Sequence, residues 1–197
     1  MVNFSLKEKI LRHLIENKEK PKTIREISRD LKVDYKNIFQ AINVLQDLII
    51  KKKIGNLNLV EIKLAPSIEI FSIENKRTKQ FLEENKQLKL IKEDINSVNY
   101  PLFIVLIFGS YVKKTKTEKS DIDLCIISDN ELKTKELISK LNLLPLKLEI
   151  HDFKINEFES MMEVKKENIA KGITKNNIIL YGIESYYNLI SKWTKKE

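Results

Sequence analysis

The stretch LFIVLIFGS at 102–110, followed after nine residues by SDIDLCII at 120–127, decides the fold. Leu102–Phe108 is the longest unbroken apolar run in the chain and is rich in Ile, Val and Phe, so it reads as a buried strand. It stops at Gly109-Ser110, where a helical segment begins. A Lys- and Thr-rich stretch then leads into a second strand from Ser120 to Ile127. Strand alternation sends Asp121 and Asp123 to one face. Two parallel carboxylates repel when unpaired and favour a hard divalent cation, Mg²⁺ or Mn²⁺. Gly109 lets the backbone approach a phosphate without a Cβ. Ser110, at a helix N-terminus, offers a hydroxyl and free N–H groups to a phosphate.

Downstream, Asp129-Asn130 caps a helix running to about Leu144. Leu146–His151 alternates apolar with polar and predicts a third strand. Helical patterns around 155–175, a short Ile178–Tyr181 run and a final helix through Trp193 complete this part.

FGS at 108–110 and SDIDL at 120–124 resemble the signature of the polymerase-β-like nucleotidyltransferases, most closely the minimal prokaryotic type. The resemblance covers about residues 100–182, because NIAKGITKNNIILYG also resembles that family's helix-then-strand ending. It implies in-line displacement of pyrophosphate from an NTP by an acceptor hydroxyl, with divalent metal at Asp121 and Asp123. It implies nucleotide contacts from Gly109, Ser110 and Ser120. It also implies a third carboxylate from the next strand, for both metal and chemistry. Glu149 is the candidate on the polar face of the third strand, with Asp152 as runner-up. His151 shares the face of Glu149. The family shows a small residue two after the Ser and a Gly two later, where this chain has Val112 and Lys114. Minimal nucleotidyltransferases also pair with small helical toxins, which makes such a protein an expected partner.

Toward the N-terminus, apolar residues at helical spacing mark a helix from Leu6, with Ser5 as N-cap. Thr23 with Glu26 forms a capping box before Ile24, Ile27 and Leu31. A third helix follows the Val33-Asp34 turn, with Ile38, Phe39, Ile42, Leu45 and Leu48 as its apolar side. Ile49–Ile54 and Leu57–Leu64, joined at Gly55-Asn56, predict a hairpin. Three helices and a hairpin resemble a winged helix-turn-helix. Tyr35, Lys36, Asn37, Gln40 and Asn43 would then face a DNA major groove, with Lys51, Lys52 and Lys53 on the backbone. The same fold also serves protein contacts.

Charge agrees with that division. The net charge is +8, and residues 1–64 hold 14 Lys/Arg against 8 Asp/Glu, whereas 65–197 hold 22 against 20. A basic first third suits nucleic acid. Cys125 is the single cysteine, so a disulfide framework and a cysteine-based zinc site are excluded. No apolar run approaches the ~20 residues of a membrane span, and the N-terminus lacks a signal-peptide pattern, so a cytoplasmic protein without membrane partners is expected.

The expected fold class is α+β. A winged helix occupies 1–65, a connecting helix 66–99 (helical from Ile73 to about Val98), and a nucleotidyltransferase domain with a small mixed sheet flanked by helices 100–197. The expected activity is Mg²⁺-dependent transfer of an NMP to a hydroxyl, with nucleotide, duplex DNA and a second copy of the chain as expected partners. The alternative is a DNA-binding regulator or antitoxin-like protein whose second domain only binds nucleotide or a partner.

Overall fold

The computed structural model describes residues 3–55, 57–117 and 120–194. Local capping signals start the first three helices. The Ser5 hydroxyl accepts the Glu8 N–H while the Glu8 carboxylate accepts the Ser5 N–H at 2.8 Å, opening α1 (Leu6–Glu16). Thr23 and Glu26 form the same reciprocal box at α2 (Ile24–Leu31). Asp34 accepts the Lys36 N–H at 2.8 Å and opens α3 (Tyr35–Val44). Each cap satisfies N–H groups that the helix itself leaves unpaired.

Three strands complete this part: β1 (Lys22–Thr23), β2 (Ile49–Ile54) and β3 (Leu57–Ile62). They form an antiparallel sheet in the order β1-β3-β2, with Ile49 opposite Ile62 and Ile54 opposite Leu57. Gly55 has φ +58° at the hairpin. Its predicted partner in the turn, Asn56, lies outside the described residues. Ile10, Leu11, Leu14, Ile15, Ile27, Ile38, Ile42 and Val60 are buried.

Phe39 departs from the predicted apolar side. The buried arc of α3 is Ile38, Ala41, Ile42 and Leu45, an i, i+3, i+4, i+7 set. That arc leaves Phe39 at its margin, 45% exposed and stacked on Tyr35 with ring centroids 6.3 Å apart.

The single helix expected from Ile73 to Val98 is instead two: α4 (Ile68–Glu84) and α5 (Lys89–Val98), separated by a 3₁₀ turn at Lys86–Leu88. The break is at Asn85, whose φ and ψ are −131° and 68° and whose side-chain amide donates to the Phe81 carbonyl at 2.9 Å. A short amide side chain that competes for backbone carbonyls ends a helix where a Lys or Glu would continue it. The chain divides into two compact units, Met1–Lys76 and Arg77–Glu197, and the division falls inside α4.

The second unit is built on β4 (Ile104–Ile107), β5 (Ile122–Ile127), β6 (Leu148–Phe153) and β7 (Ile178–Tyr181). Sheet order is β6-β5-β4-β7; β5 and β6 are parallel and the other pairs antiparallel, so the sheet is mixed. Around it stand the short α6 (Gly109–Lys113), α7 (Glu131–Leu141), α8 (Ile155–Glu163), α9 (Ile169–Lys175) and α10 (Ile183–Thr194). Val105, Ile107, Leu124 and Ile126 form one core with Ile91 and Ile95 of α5 and Leu137 and Leu141 of α7. Tyr186 and Tyr187 of α10 are fully buried and meet edge to face, so they are packing residues. The outer strand β7 is tied to α4 by Thr78 Oγ1, which donates to the Ile179 carbonyl at 2.7 Å, and by Arg77, which donates to the Asn177 carbonyl. Such ties occupy the open edge of a sheet. Among the described residues, no helix is long and apolar enough to cross a membrane.

Gly182, between β7 and α10, has φ +76°, and a Cβ there would lie 2.1 Å from the Phe103 carbonyl oxygen. Gly182→Ala is therefore expected to cost about 3 kcal/mol. Gly172→Ala, inside α9 with nothing within 4 Å of the added carbon, should instead gain up to about 1 kcal/mol. Thermal melts of the two variants should move in opposite directions.

Candidate active site

β4 and β5 run antiparallel, and this brings the end of one to the start of the other. The Phe108 N–H donates to the Asp123 carbonyl at 3.1 Å, which continues the ladder one step past β4. The chain then turns through Gly109 at φ +70°. A Cβ on residue 109 would lie 1.8 Å from Asp123 Oδ2, so the carboxylate fills the space a side chain would need. The sequence points to phosphate approach as the reason for glycine here; the structure adds a nearer one. The Ser110 N–H donates to the same carboxylate. Among the described residues, nothing takes up the Ser110 hydroxyl.

Ser120 closes the turn that delivers β5. Its hydroxyl accepts the Thr117 N–H at 2.8 Å, across residues 118–119, which lie outside the described set. Asp121 is exposed just before the first residue of β5, and Asp123 is half-buried within it. Parallel pairing sets Glu149 of β6 directly beside Asp123. Neighbours in register share a face, so the three carboxylates lie on one side of the sheet end. Asp152, the runner-up, pairs with Ile126 and falls on the opposite face. His151 pairs with Cys125 on the face of Glu149, with Nε2 3.2 Å from Glu149 Oε1 and its ring 5.7 Å from that of Phe108. Cys125 is fully buried, and burial pushes its thiol pKa up, which leaves it inert.

The Asp123 carboxyl titrates above the ordinary aspartate range. Desolvation is the main cause, followed by the Glu149 charge; the Ser110 N–H and then the His151 imidazole oppose them, and Asp121 adds to the rise. A divalent cation relieves such strain. Among the described residues, no three His, Cys, Asp or Glu side chains come together as a group that could hold a metal ion. The donor set of hard carboxylate oxygens suits Mg²⁺, which binds through one or two carboxylates together with substrate phosphates.

Lys114 lies where the family pattern has Gly, and it adopts the left-handed conformation at φ +57° that glycine takes without strain. Its N–H closes α6 on the Ser110 carbonyl. Lys116 is held by Asn85 Oδ1 and lies over the Tyr111 ring.

In the first unit, Tyr35, Lys36, Asn37 and Gln40 are exposed along α3. The three lysines of β2 do not act together. Alternation puts Lys51 and Lys53 on one face and Lys52 on the other, where its ammonium pairs with Glu61 at 2.8 Å. Lys51 reaches Asn43 on α3, donating at 2.8 Å.

Residues 89–186 match the family model described as "Polymerase beta, Nucleotidyltransferase". A relative from Methanocaldococcus jannaschii, described as a "putative protein adenylyltransferase", is 30% identical over 101 residues, which cover 49% of this chain and 73% of the relative. No solved structure matches. The chain belongs to the polymerase beta nucleotidyltransferase family.

The raised Asp123 pKa has a stability consequence. The folded state holds this proton more tightly than the unfolded chain does, so its contribution falls as pH rises from the ordinary aspartate range through the raised value. Asp123→Asn should therefore raise the melting temperature of metal-free protein at neutral pH. The gain should shrink in acid, where protonation already neutralises the wild-type group. An unchanged or lower melting temperature at neutral pH contradicts this account of the site.

Proposed function

We propose that the protein is a divalent-metal-dependent nucleotidyltransferase that moves a nucleoside monophosphate from an NTP to a hydroxyl acceptor and releases pyrophosphate. The observation that carries the reading is the Asp123 carboxylate, set between the Gly109-Ser110 turn and Glu149. Asp121 and Asp123 would hold Mg²⁺ or Mn²⁺ with Glu149 as third ligand, and such a cation would supply neutralisation of the charge on the α-phosphate and the leaving pyrophosphate. The Gly109-Ser110 turn, whose serine hydroxyl has no partner among the described residues, receives the β- and γ-phosphates. Glu149 faces the acceptor and takes its proton as the acceptor oxygen attacks the α-phosphorus. The bond from that phosphorus to the pyrophosphate oxygen breaks as the new one forms. The name of the archaeal relative favours ATP as donor and a protein hydroxyl as acceptor.

The first unit reads as a winged helix, with α3 as the recognition helix and the β2–β3 hairpin as the wing. Its excess of positive charge supports binding to duplex DNA through Tyr35, Lys36, Asn37, Gln40, Lys51 and Lys53, with Lys52 partly committed to Glu61. A second reading is favoured by the exposed Tyr35–Phe39 stack, an aromatic surface suited to a protein partner such as a helical toxin.

Incubation with each α-labelled NTP and Mg²⁺ should label an acceptor from one nucleotide. The Asp121→Asn/Asp123→Asn protein should lose both the label and metal-dependent NTP affinity by calorimetry; equal affinity in the two proteins removes the metal assignment. Glu149→Gln should lower kcat by roughly 100-fold while NTP affinity changes little. If the first unit binds duplex DNA, affinity should fall steeply with salt as counterions are released, and Lys36→Ala with Lys53→Ala should flatten that slope. No DNA shift at low salt favours the protein-contact reading.

A further inference from the structure

We infer that His151 is the positioning residue that sets the reach of the Glu149 carboxylate. The inference rests on the proposed role of Glu149 and explains how a glutamate works in that place. Glutamate carries one more methylene and one more rotatable bond than aspartate. The Glu149 side chain is 58% exposed, so packing alone does not hold it. His151 lies two residues further along the same strand and on the same face. Its Nε2 stands 3.2 Å from Glu149 Oε1. At that distance the ring nitrogen and the carboxylate are within ion-pair range. The contact folds the extra methylene back along β6 and keeps the carboxylate level with Asp123.

A positioning group must itself be fixed, and His151 is. Its side chain is only 27% exposed, and the ring packs at 5.7 Å against Phe108. Phe108 in turn is locked to β5 by its N–H on the Asp123 carbonyl. The post that orients Glu149 is thus anchored to the backbone of the residue that Glu149 must face. A histidine that only packs on Phe108 would contribute equally whatever the length of side chain 149. A histidine that retracts a long carboxylate becomes dispensable when that carboxylate is shortened.

This difference is the test. In full-length protein, His151→Ala should lower kcat about tenfold with KM for the NTP nearly unchanged. His151→Gln, whose amide N–H can take the place of Nε2, should recover most of the loss. Glu149→Asp should be active, and adding His151→Ala to it should cost nothing further. An equal cost in both backgrounds, or no cost in the wild type, overturns the inference. A second readout needs no turnover. The chain has two histidines, so ¹⁵N-histidine spectra resolve His151 from His13. The ring nitrogens of His151 should shift on Glu149→Ala while those of His13 stay; an unmoved His151 overturns the inference. Wild-type protein that transfers from no NTP refutes the enzymatic reading instead, and the spectra then decide the His151–Glu149 contact by themselves.

Discussion

Asp123 can occupy its place only because residue 109 has no side chain. With a would-be Cβ 1.8 Å from Oδ2, a side chain at residue 109 would force the Asp123 carboxylate out of its place, and the positive φ of Gly109 adds a second demand for glycine. The Gly-Ser turn and the Asp-x-Asp strand are therefore one object, although a loop separates them in sequence. Antiparallel pairing of β4 with β5 holds the two halves in register, and the Ser110 N–H supplies the carboxylate's compensation for leaving water. Folding and site formation share this contact. A chain that pairs β4 and β5 correctly has already built the anion cluster, with its cost in desolvation and like-charge repulsion.

That cost falls on a sheet whose core is otherwise strongly apolar. Val105, Ile107, Leu124 and Ile126 are buried to 0% exposure, and Leu124 lies one strand step from Asp123. Period-two alternation lets both coexist: the residues that build the α5 and α7 side of the core are those that do not carry the chemistry. Cys125 and His151 form the next rung of the acidic face, and Cys125 is already fully buried. The charged region is thus confined to the open end of two strands, which limits the desolvation to carboxylates that a ligand will reach.

Much of this was legible in the sequence because it depends on local rules. The capping boxes at Ser5 and Thr23 need only neighbours three residues away, and the predicted strands follow from apolar runs and alternation. What escaped depends on partners distant in sequence or on small local conflicts. The polar face of the third strand was readable, and it made Glu149 the candidate over Asp152; what was not readable is the parallel register that sets Glu149 directly beside Asp123, because it depends on pairing with a strand distant in sequence. Asn85 hides inside a charged helical pattern, yet its amide ends the helix. Phe39 fits a five-residue apolar list, but Ala41 takes the inward position and leaves the larger ring outside. Lys114 shows no sequence sign of a left-handed backbone except through the family pattern it departs from. The three consecutive lysines of β2 look like one patch on paper; alternation and Glu61 divide them.

The open arrangement of the carboxylates bears on the order in which ligands arrive. Asp121 and Glu149 are exposed and Asp123 is only half-buried, so no rigid cage selects a cation by itself. A small hard cation that keeps most of its waters gains little from two or three loosely held carboxylates alone. A triphosphate alone meets their repulsion. On the proposed function, each ligand would remove the obstacle to the other: the cation would cancel the acidic charge, and the phosphates would complete its coordination while occupying the Gly109-Ser110 turn. Binding of the pair would then relieve the strain that holds the Asp123 proton too tightly, and ligand binding to the folded state alone adds to stability. On the proposed function, the last ligands of the site would come from the substrate, so its geometry would be completed only with the triphosphate in place.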